Sequence, residues 1–148
     1  MKPARFTIAL LVVLAMLAVI VFARSRVAPV PPVFTPRLTL VEATSRAAAE
    51  HKPLFVLASA DWCGPCQVFK RTTLVDPGVE AALRERTVPV YLDVDQEQDA
   101  AAVLRVMSIP ACVLVRDGRP VAKIEGNVPR DEFVAWLDAS LAPAATPR

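Results

Sequence analysis

The chain has 148 residues, enough for one domain plus accessories. Its 17 basic and 15 acidic residues are unevenly placed: residues 1–36 hold four of the basic ones and none of the acidic ones, leaving the remainder at a net charge of −2. A faintly acidic body has no electrostatic basis for binding nucleic acid, and three cysteines, two of them spaced C-x-x-C, do not make a disulfide scaffold.

Residues 6–23 are 18 uncharged, nearly all aliphatic positions. As a helix they would span about 27 Å at about 1.5 Å per residue, close to the roughly 30 Å hydrocarbon core of a bilayer. Lys2 and Arg5 precede this stretch and Arg24 and Arg26 follow it. The pattern predicts a short cytoplasmic N-terminus (1–5) and a transmembrane signal anchor (6–23). A signal peptide cleaved after Val21-Phe22-Ala23 is the rival reading, against which the long apolar stretch argues. Residues 24–37 carry Pro29, Pro31, Pro32 and Pro36, and predict an extended, semi-rigid spacer between anchor and domain.

The domain is expected over 38–141. Thr39 followed by Glu42 reads as a capping box opening a helix to about residue 50. The apolar run 53–59 has the length of a strand covered on both faces. After a loop over 60–63, a helix starts near Cys63 or Gly64 with Pro65 in its first turn, running to about residue 73. Asp76-Pro77 caps another helix to about 86. A second strand follows over 88–94, then a helix over 97–107. Strands at 111–116 and 120–125 flank Asp117-Gly118, a hairpin turn. Residues 130–141 form an amphipathic helix that places Trp136 in the core, and 142–148 read as a disordered tail. The order implies an α/β domain with a mixed central β-sheet flanked by helices, preceded by one transmembrane helix.

The chemistry sits in Trp62-Cys63-Gly64-Pro65-Cys66. Disulfide exchange needs one thiolate to attack and a second thiol near enough to displace what the first captures. Two intervening residues at a helix start bring both sulfurs within bonding range, and unpaired N–H groups there stabilise a thiolate at Cys63. Cys63 is therefore the expected nucleophile and Cys66 the resolving thiol. Trp62 reads as a substrate contact, or alternatively as core filler. A zinc site would need Cys112 and His51 as well, with no second C-x-x-C present; a structural disulfide would close too small a loop to stabilise much. No metal and no cofactor are expected. Cys112 reads as a small buried hydrophobe, with a regulatory thiol as the alternative.

The five residues from Trp62 to Cys66 match the thioredoxin active-site motif at every position, and Val106-Met107-Ser108-Ile109-Pro110 resembles that family's segment ending in a cis-proline. Asp117-Gly118 and Gly126 resemble its hairpin turn and its glycine near the substrate groove. The likeness spans about 38–141. It implies a thioredoxin-like fold, an active-site loop of Trp62, Gly64 and Pro65, and substrate binding at Ile109, Pro110 and Gly126, the backbone of Ile109 pairing with the bound substrate. Three positions depart from the pattern. Leu57 stands where the family buries a carboxylate that relays the resolving thiol's proton, Tyr91 replaces its lysine partner, and Ser59 replaces a tryptophan. Water or Asp61 is left to take the proton from Cys66, although Asp61 reads first as a solvated side chain.

With the anchor, these departures resemble the thioredoxin-like domains of periplasmic, membrane-linked proteins. The expectation is a membrane-tethered thiol–disulfide oxidoreductase of the bacterial inner membrane. Its domain would face the periplasm, reduce disulfides of extracytoplasmic proteins, and be reset by a membrane or soluble redox partner. The alternatives are secretion after cleavage, a redox-inactive binding or chaperone module, and a metal chaperone using the same cysteines.

Overall fold

The computed structural model describes residues 3–25 and 27–142, with side chains over 8–22 and 27–142. Residues 1 and 2 of the expected cytoplasmic stub, and 143–148 of the expected tail, lie outside the described residues. The first helix, α1 (Pro3–Ser25), covers the expected anchor and leaves every described side chain from 8 to 22 exposed. Among the residues whose side chains are described, which in α1 are 8–22 alone, no helix is long and apolar enough to cross a membrane.

The remaining elements are α2 (Leu40–Glu50), β1 (Leu54–Ser59), α3 (Gly64–Arg71), α4 (Pro77–Arg86), β2 (Val88–Asp93), α5 (Gln98–Val103), β3 (Ala111–Arg116), β4 (Arg119–Glu125) and α6 (Arg130–Leu141). Short 3₁₀ turns lie at Pro32–Phe34 and Thr73–Val75. The sheet order is β2-β1-β3-β4, with β1 and β2 parallel and the other pairs antiparallel. This is the mixed sheet expected from the element order.

Central β1 is buried at all six positions. Because successive strand residues point to opposite faces, it feeds two cores. Phe55 and Leu57 join Tyr91, Cys112 and Leu114 beneath α3, α4 and α6, packing on Phe69, Leu83 and Phe133. Leu54, Val56 and Ala58 join Val90, Leu92 and Val113 on the other face, covered by Ala43 of α2 and Ala101 of α5. Trp136 is half-buried against the first core, its ring centroid 5.6 Å from that of Phe133.

Local chemistry sets the boundaries. The capping box is present: the Glu42 N–H donates to Thr39 Oγ1 (3.2 Å), and the Thr39 N–H donates to Glu42 Oε2 (2.8 Å). Asp76 Oδ1 accepts from the N–H groups of Gly78 and Val79 at the start of α4. In the β3–β4 turn both Asp117 (φ 50°) and Gly118 (φ 72°) are left-handed, as a two-residue hairpin of this hand requires.

Two expectations are corrected. The helix expected over 97–107 stops at Val103, because Arg105 turns left-handed (φ 52°) and the Val106 N–H closes on the Ala101 carbonyl at 2.9 Å. The spacer expected over 24–37 does not hold the domain at a distance, since much of it is packed against the domain. Val33 and Phe34 are buried in the first core, with Phe34 6.2 Å from Phe55 and 6.0 Å from Tyr91 between ring centroids. Burying a phenylalanine outweighs the extended preference of the neighbouring prolines.

Candidate active site

Cys63 and Cys66 form a disulfide, with Cα atoms 5.2 Å apart. Cys63 is the N-cap of α3: its backbone is extended, and its sulfur accepts the N–H of Cys66 at 3.2 Å. A side chain here takes one of the N–H groups that no helical carbonyl can reach. The sequence places a helix start after Cys63 because Pro65, lacking an N–H, loses nothing in the first turn. Gly64 and Pro65 are exposed, whereas Cys63 (4% exposed) and Cys66 (1%) are buried among Ala60, Val94 and Ile109. Cys63 is slightly the more exposed of the two, the order expected of an attacking and a resolving thiol.

Ile109 and Pro110 are joined by a cis peptide bond. The Ile109 carbonyl oxygen lies 3.7 Å from Cys63 Sγ, and the Pro110 carbonyl accepts the Gly126 N–H at 2.8 Å. Gly126 has φ 91°, where a side chain would be strained. The fold thus gathers Trp62, Cys63, Gly64, Pro65, Cys66, Ile109 and Pro110 at one end of the sheet, with Gly126 tied to Pro110. Trp62 is 70% exposed, so it is not core filler, and its indole N–H donates to Asp95 Oδ2 at 2.8 Å. Met107 is exposed on the segment leading to Ile109.

The sequence reading missed three side chains. Asp95 fixes the Trp62 ring. Gln67, buried one turn into α3, donates through Nε2 to the carbonyls of Ala60 (3.1 Å) and Asp61 (3.0 Å), and its Oε1 accepts the Ala28 N–H at 2.6 Å. It therefore ties both the active-site loop and the segment before the domain to the redox helix. Lys70 lies deeper on the same helix at 1% exposure, 3.9 Å from Asp61 Oδ1. The available signal was spacing: Gln67 follows Cys63 by four and Lys70 follows Cys66 by four, so each shares a helix face with a cysteine.

Cys112 is buried in β3 opposite Leu57, and burial pushes its thiol well above the ordinary range. His51 ends α2 before β1, at the other end of a six-residue strand from Cys63. At about 3.3 Å per residue that is roughly 20 Å, too far for a shared metal. Among the described residues, no group of three or more His, Cys, Asp or Glu is placed to hold a metal ion.

A thioredoxin-like domain family model matches residues 40–141. Thioredoxin from Alicyclobacillus acidocaldarius is 33% identical over 101 residues, covering 68% of this chain and 93% of the relative. Thioredoxin from Staphylococcus aureus is 38% identical over 85 residues, covering 55% and 76%. Among solved structures, a Thermus thermophilus thioredoxin superposes with a TM-score of 0.64 at 29% identity, covering 70% of this chain and 84% of that one. A disulphide isomerase from Xylella fastidiosa shares the fold, with a TM-score of 0.60 at 19% identity over 68% and 86% of the two chains. With the bonded Cys63–Cys66 pair capping α3, these matches show that the chain belongs to the thioredoxin family and is a thiol–disulfide oxidoreductase.

Proposed function

We propose that this protein is a membrane-tethered reductase of disulfides in extracytoplasmic proteins, held at the bacterial inner membrane by α1 with its domain in the periplasm. The observation that carries the redox chemistry is Cys63 as the cap of α3. Once the disulfide is reduced, the N–H of Cys66 and the positive end of the helix favour the Cys63 thiolate. Thioredoxin is the reference case for this effect, with a thiol pKa of about 7 against about 8.5 for free cysteine. At about 1.36 kcal/mol per unit, a shift of that size is worth roughly 2 kcal/mol and puts about half the thiol in its reactive form at neutral pH.

The cycle then has two exchanges. The Cys63 thiolate attacks one sulfur of the substrate disulfide and the other substrate sulfur leaves as a thiolate. The Cys66 sulfur next attacks Cys63, releasing the second substrate thiolate and restoring the Cys63–Cys66 disulfide. Two electrons pass to the substrate, and a dithiol partner returns them. The reducing direction is supported by the Gly64-Pro65 pair, which matches thioredoxin, whose potential is about −270 mV.

Tethering is supported by the charge-free run 6–23 and by the exposed apolar surface of α1 over 8–22, a surface of the kind that marks a membrane or protein contact. Ala28, three residues beyond the end of α1, is hydrogen-bonded to Gln67 of the redox helix. Three residues reach at most about 11 Å, so an inserted α1 would keep the cysteine pair close to the bilayer surface, favouring a membrane-borne partner for the reset.

Reduction of insulin disulfides by the detergent-solubilised full chain tests the chemistry: wild type is expected to be active and Cys63→Ser inactive. Equal rates would end the redox reading. Recovery of the chain in the alkali-washed membrane fraction, with the domain accessible to protease only after the outer membrane is opened, tests the tether; recovery in the soluble fraction would end it.

A further inference from the structure

The proton of the resolving thiol has no acceptor where the family pattern puts one, because Leu57 occupies that place on β1 and Tyr91, its register partner on β2, occupies the place of the lysine. The structure puts a different group into this region. Lys70 follows Cys66 by one helical turn and so shares its face, with side-chain bases about 5–6 Å apart. Both residues are 1% exposed. The lysine amine reaches over the Tyr91 ring, 5.7 Å from its centroid, and has no hydrogen-bond partner among the described residues. Among the described residues its one ion-pair contact is the 3.9 Å approach to Asp61, which is 70% exposed on the loop before Trp62.

We propose that Lys70 is the proton acceptor of Cys66 in the resolving step, with Asp61 at its outer edge linking it to solvent. The inference rests on the thiol-exchange reading above. Between the two exchanges Cys66 is a buried thiol, and a thiolate alone in that setting is disfavoured by desolvation. Passing its proton to Lys70 in its unprotonated form, which burial favours, creates the thiolate as half of an ammonium–thiolate pair. The thiolate attacks Cys63 Sγ, the Cys63–substrate S–S bond breaks, and the substrate leaves as a thiolate. The ammonium later loses its proton to solvent past Asp61, or directly to the departing thiolate, so charge and protons balance.

The surroundings leave the amine able to accept. Burial lowers the lysine's proton affinity, and Asp61 only partly restores it. Arg71 on α3 and Arg37 before α2 oppose the positive charge, whereas Asp93 at the end of β2 favours it. Tyr91 carries no compensating negative charge near neutral pH, since burial raises its phenol further, which the Ser59 hydroxyl partly offsets. An amine poised this way exchanges protons more readily near neutral pH than an exposed lysine does.

The test uses the reduced full chain in detergent and 5,5′-dithiobis(2-nitrobenzoate) as the disulfide. Attack by Cys63 releases one coloured thiolate, and resolution by Cys66 releases the second, so stopped-flow absorbance separates the steps. Lys70→Met keeps the apolar stem and is expected to slow the second phase about tenfold at pH 7, leaving the first within twofold and moving the second-phase pH profile upward. Lys70→Arg keeps a charge that cannot accept a proton, and is expected to be slowed as well. A Lys70→Met second phase with wild-type rate and pH profile overturns the proposal, as does full rescue by Lys70→Arg. Should Lys70→Met fail to fold, Asp61→Asn decides: it removes the carboxylate that stabilises the ammonium once formed and links it to solvent, and is expected to slow the second phase at least threefold, an unchanged phase counting against the role. A wild-type chain releasing no coloured thiolate at all removes the thiol-exchange reading, and this one with it.

Discussion

Gln67→Ala tests whether the redox helix holds its surroundings through one buried amide. Gln67 makes three hydrogen bonds: to the Ala60 and Asp61 carbonyls and from the Ala28 N–H. Each such bond contributes about 1 kcal/mol net, and a buried group left without its partner costs about 1–3 kcal/mol. The Asp61 carbonyl lies at a partly exposed edge and can turn to water, whereas the other two bonds are buried. The sum is about 3 kcal/mol, which for a domain of this size lowers the melting temperature by roughly 12–24 °C. Urea unfolding of the full chain in detergent, read by tryptophan fluorescence, gives the free energy from the midpoint and slope.

Gln67→Glu sharpens the reasoning. It keeps the oxygen that accepts from Ala28 but turns the donor facing two carbonyls into a third acceptor. It should therefore be at least as destabilising as alanine near neutral pH, and should recover as acid protonates the carboxyl. A loss below about 1 kcal/mol in Gln67→Ala, or a Gln67→Glu variant indistinguishable from wild type, would refute the assignment of Gln67 as the tie between loop, helix and N-terminal segment.

Three further outcomes follow from the packing. Phe34→Ala should cost about 3–5 kcal/mol in urea unfolding, as for a core aromatic; a cost typical of an exposed linker position, under about 0.5 kcal/mol, would place residues 27–37 outside the folded unit. Cys112 should show no reaction with a thiol reagent in the native oxidised protein and react once per chain after denaturation, and Cys112→Ser, which buries an unpaired hydroxyl, should lose about 1–3 kcal/mol by the same unfolding measurement. The N–H bonds from Val79 and Gly78, together with Arg130, hold the Asp76 carboxyl below its ordinary value of 3.8. A depressed carboxyl stabilises above its unfolded value and loses that contribution as pH falls through the folded one. Thermal melts from pH 5 to pH 2.5 should therefore fall less steeply for Asp76→Asn than for wild type.

Much of the fold was legible because it rests on local rules. The Thr39–Glu42 box, the Asp76-Pro77 start, the Asp117-Gly118 turn and the unbroken apolar run of β1 each state their structure within a few residues. What escaped was set by contacts distant in sequence. Nothing in the proline-rich stretch says that Phe34 will find Phe55 and Tyr91, some 20 to 60 residues on. Nothing between Glu97 and Met107 marks Arg105 as the left-handed residue that ends α5, a position where glycine is usual. The active-site cysteines, the tryptophan and the proline were legible because their chemistry is carried by residue type. Asp95 was not, because its part is to hold Trp62, and any acidic residue on an exposed loop reads alike.

The redox helix shows why the remaining site residues are the hard ones. α3 has eight residues, and the four it buries are Cys66, Gln67, Phe69 and Lys70. Only Phe69 is there for packing alone. A helix built for stability would fill those positions with leucine or isoleucine, which need no partners and lose little on burial. Instead its inner face holds a thiol, an amide and an amine. The amide is satisfied from two other segments of the chain, whereas the amine has no hydrogen-bond partner among the described residues and only the 3.9 Å approach to Asp61. Hydrophobic periodicity is blind to such a face, since it reads buried polar residues as exposed. The same physics gives them their use: a group kept from water with no hydrogen bond to hold it is the one whose proton is most easily moved, and here it lies one helical turn from the thiol that must give up its own.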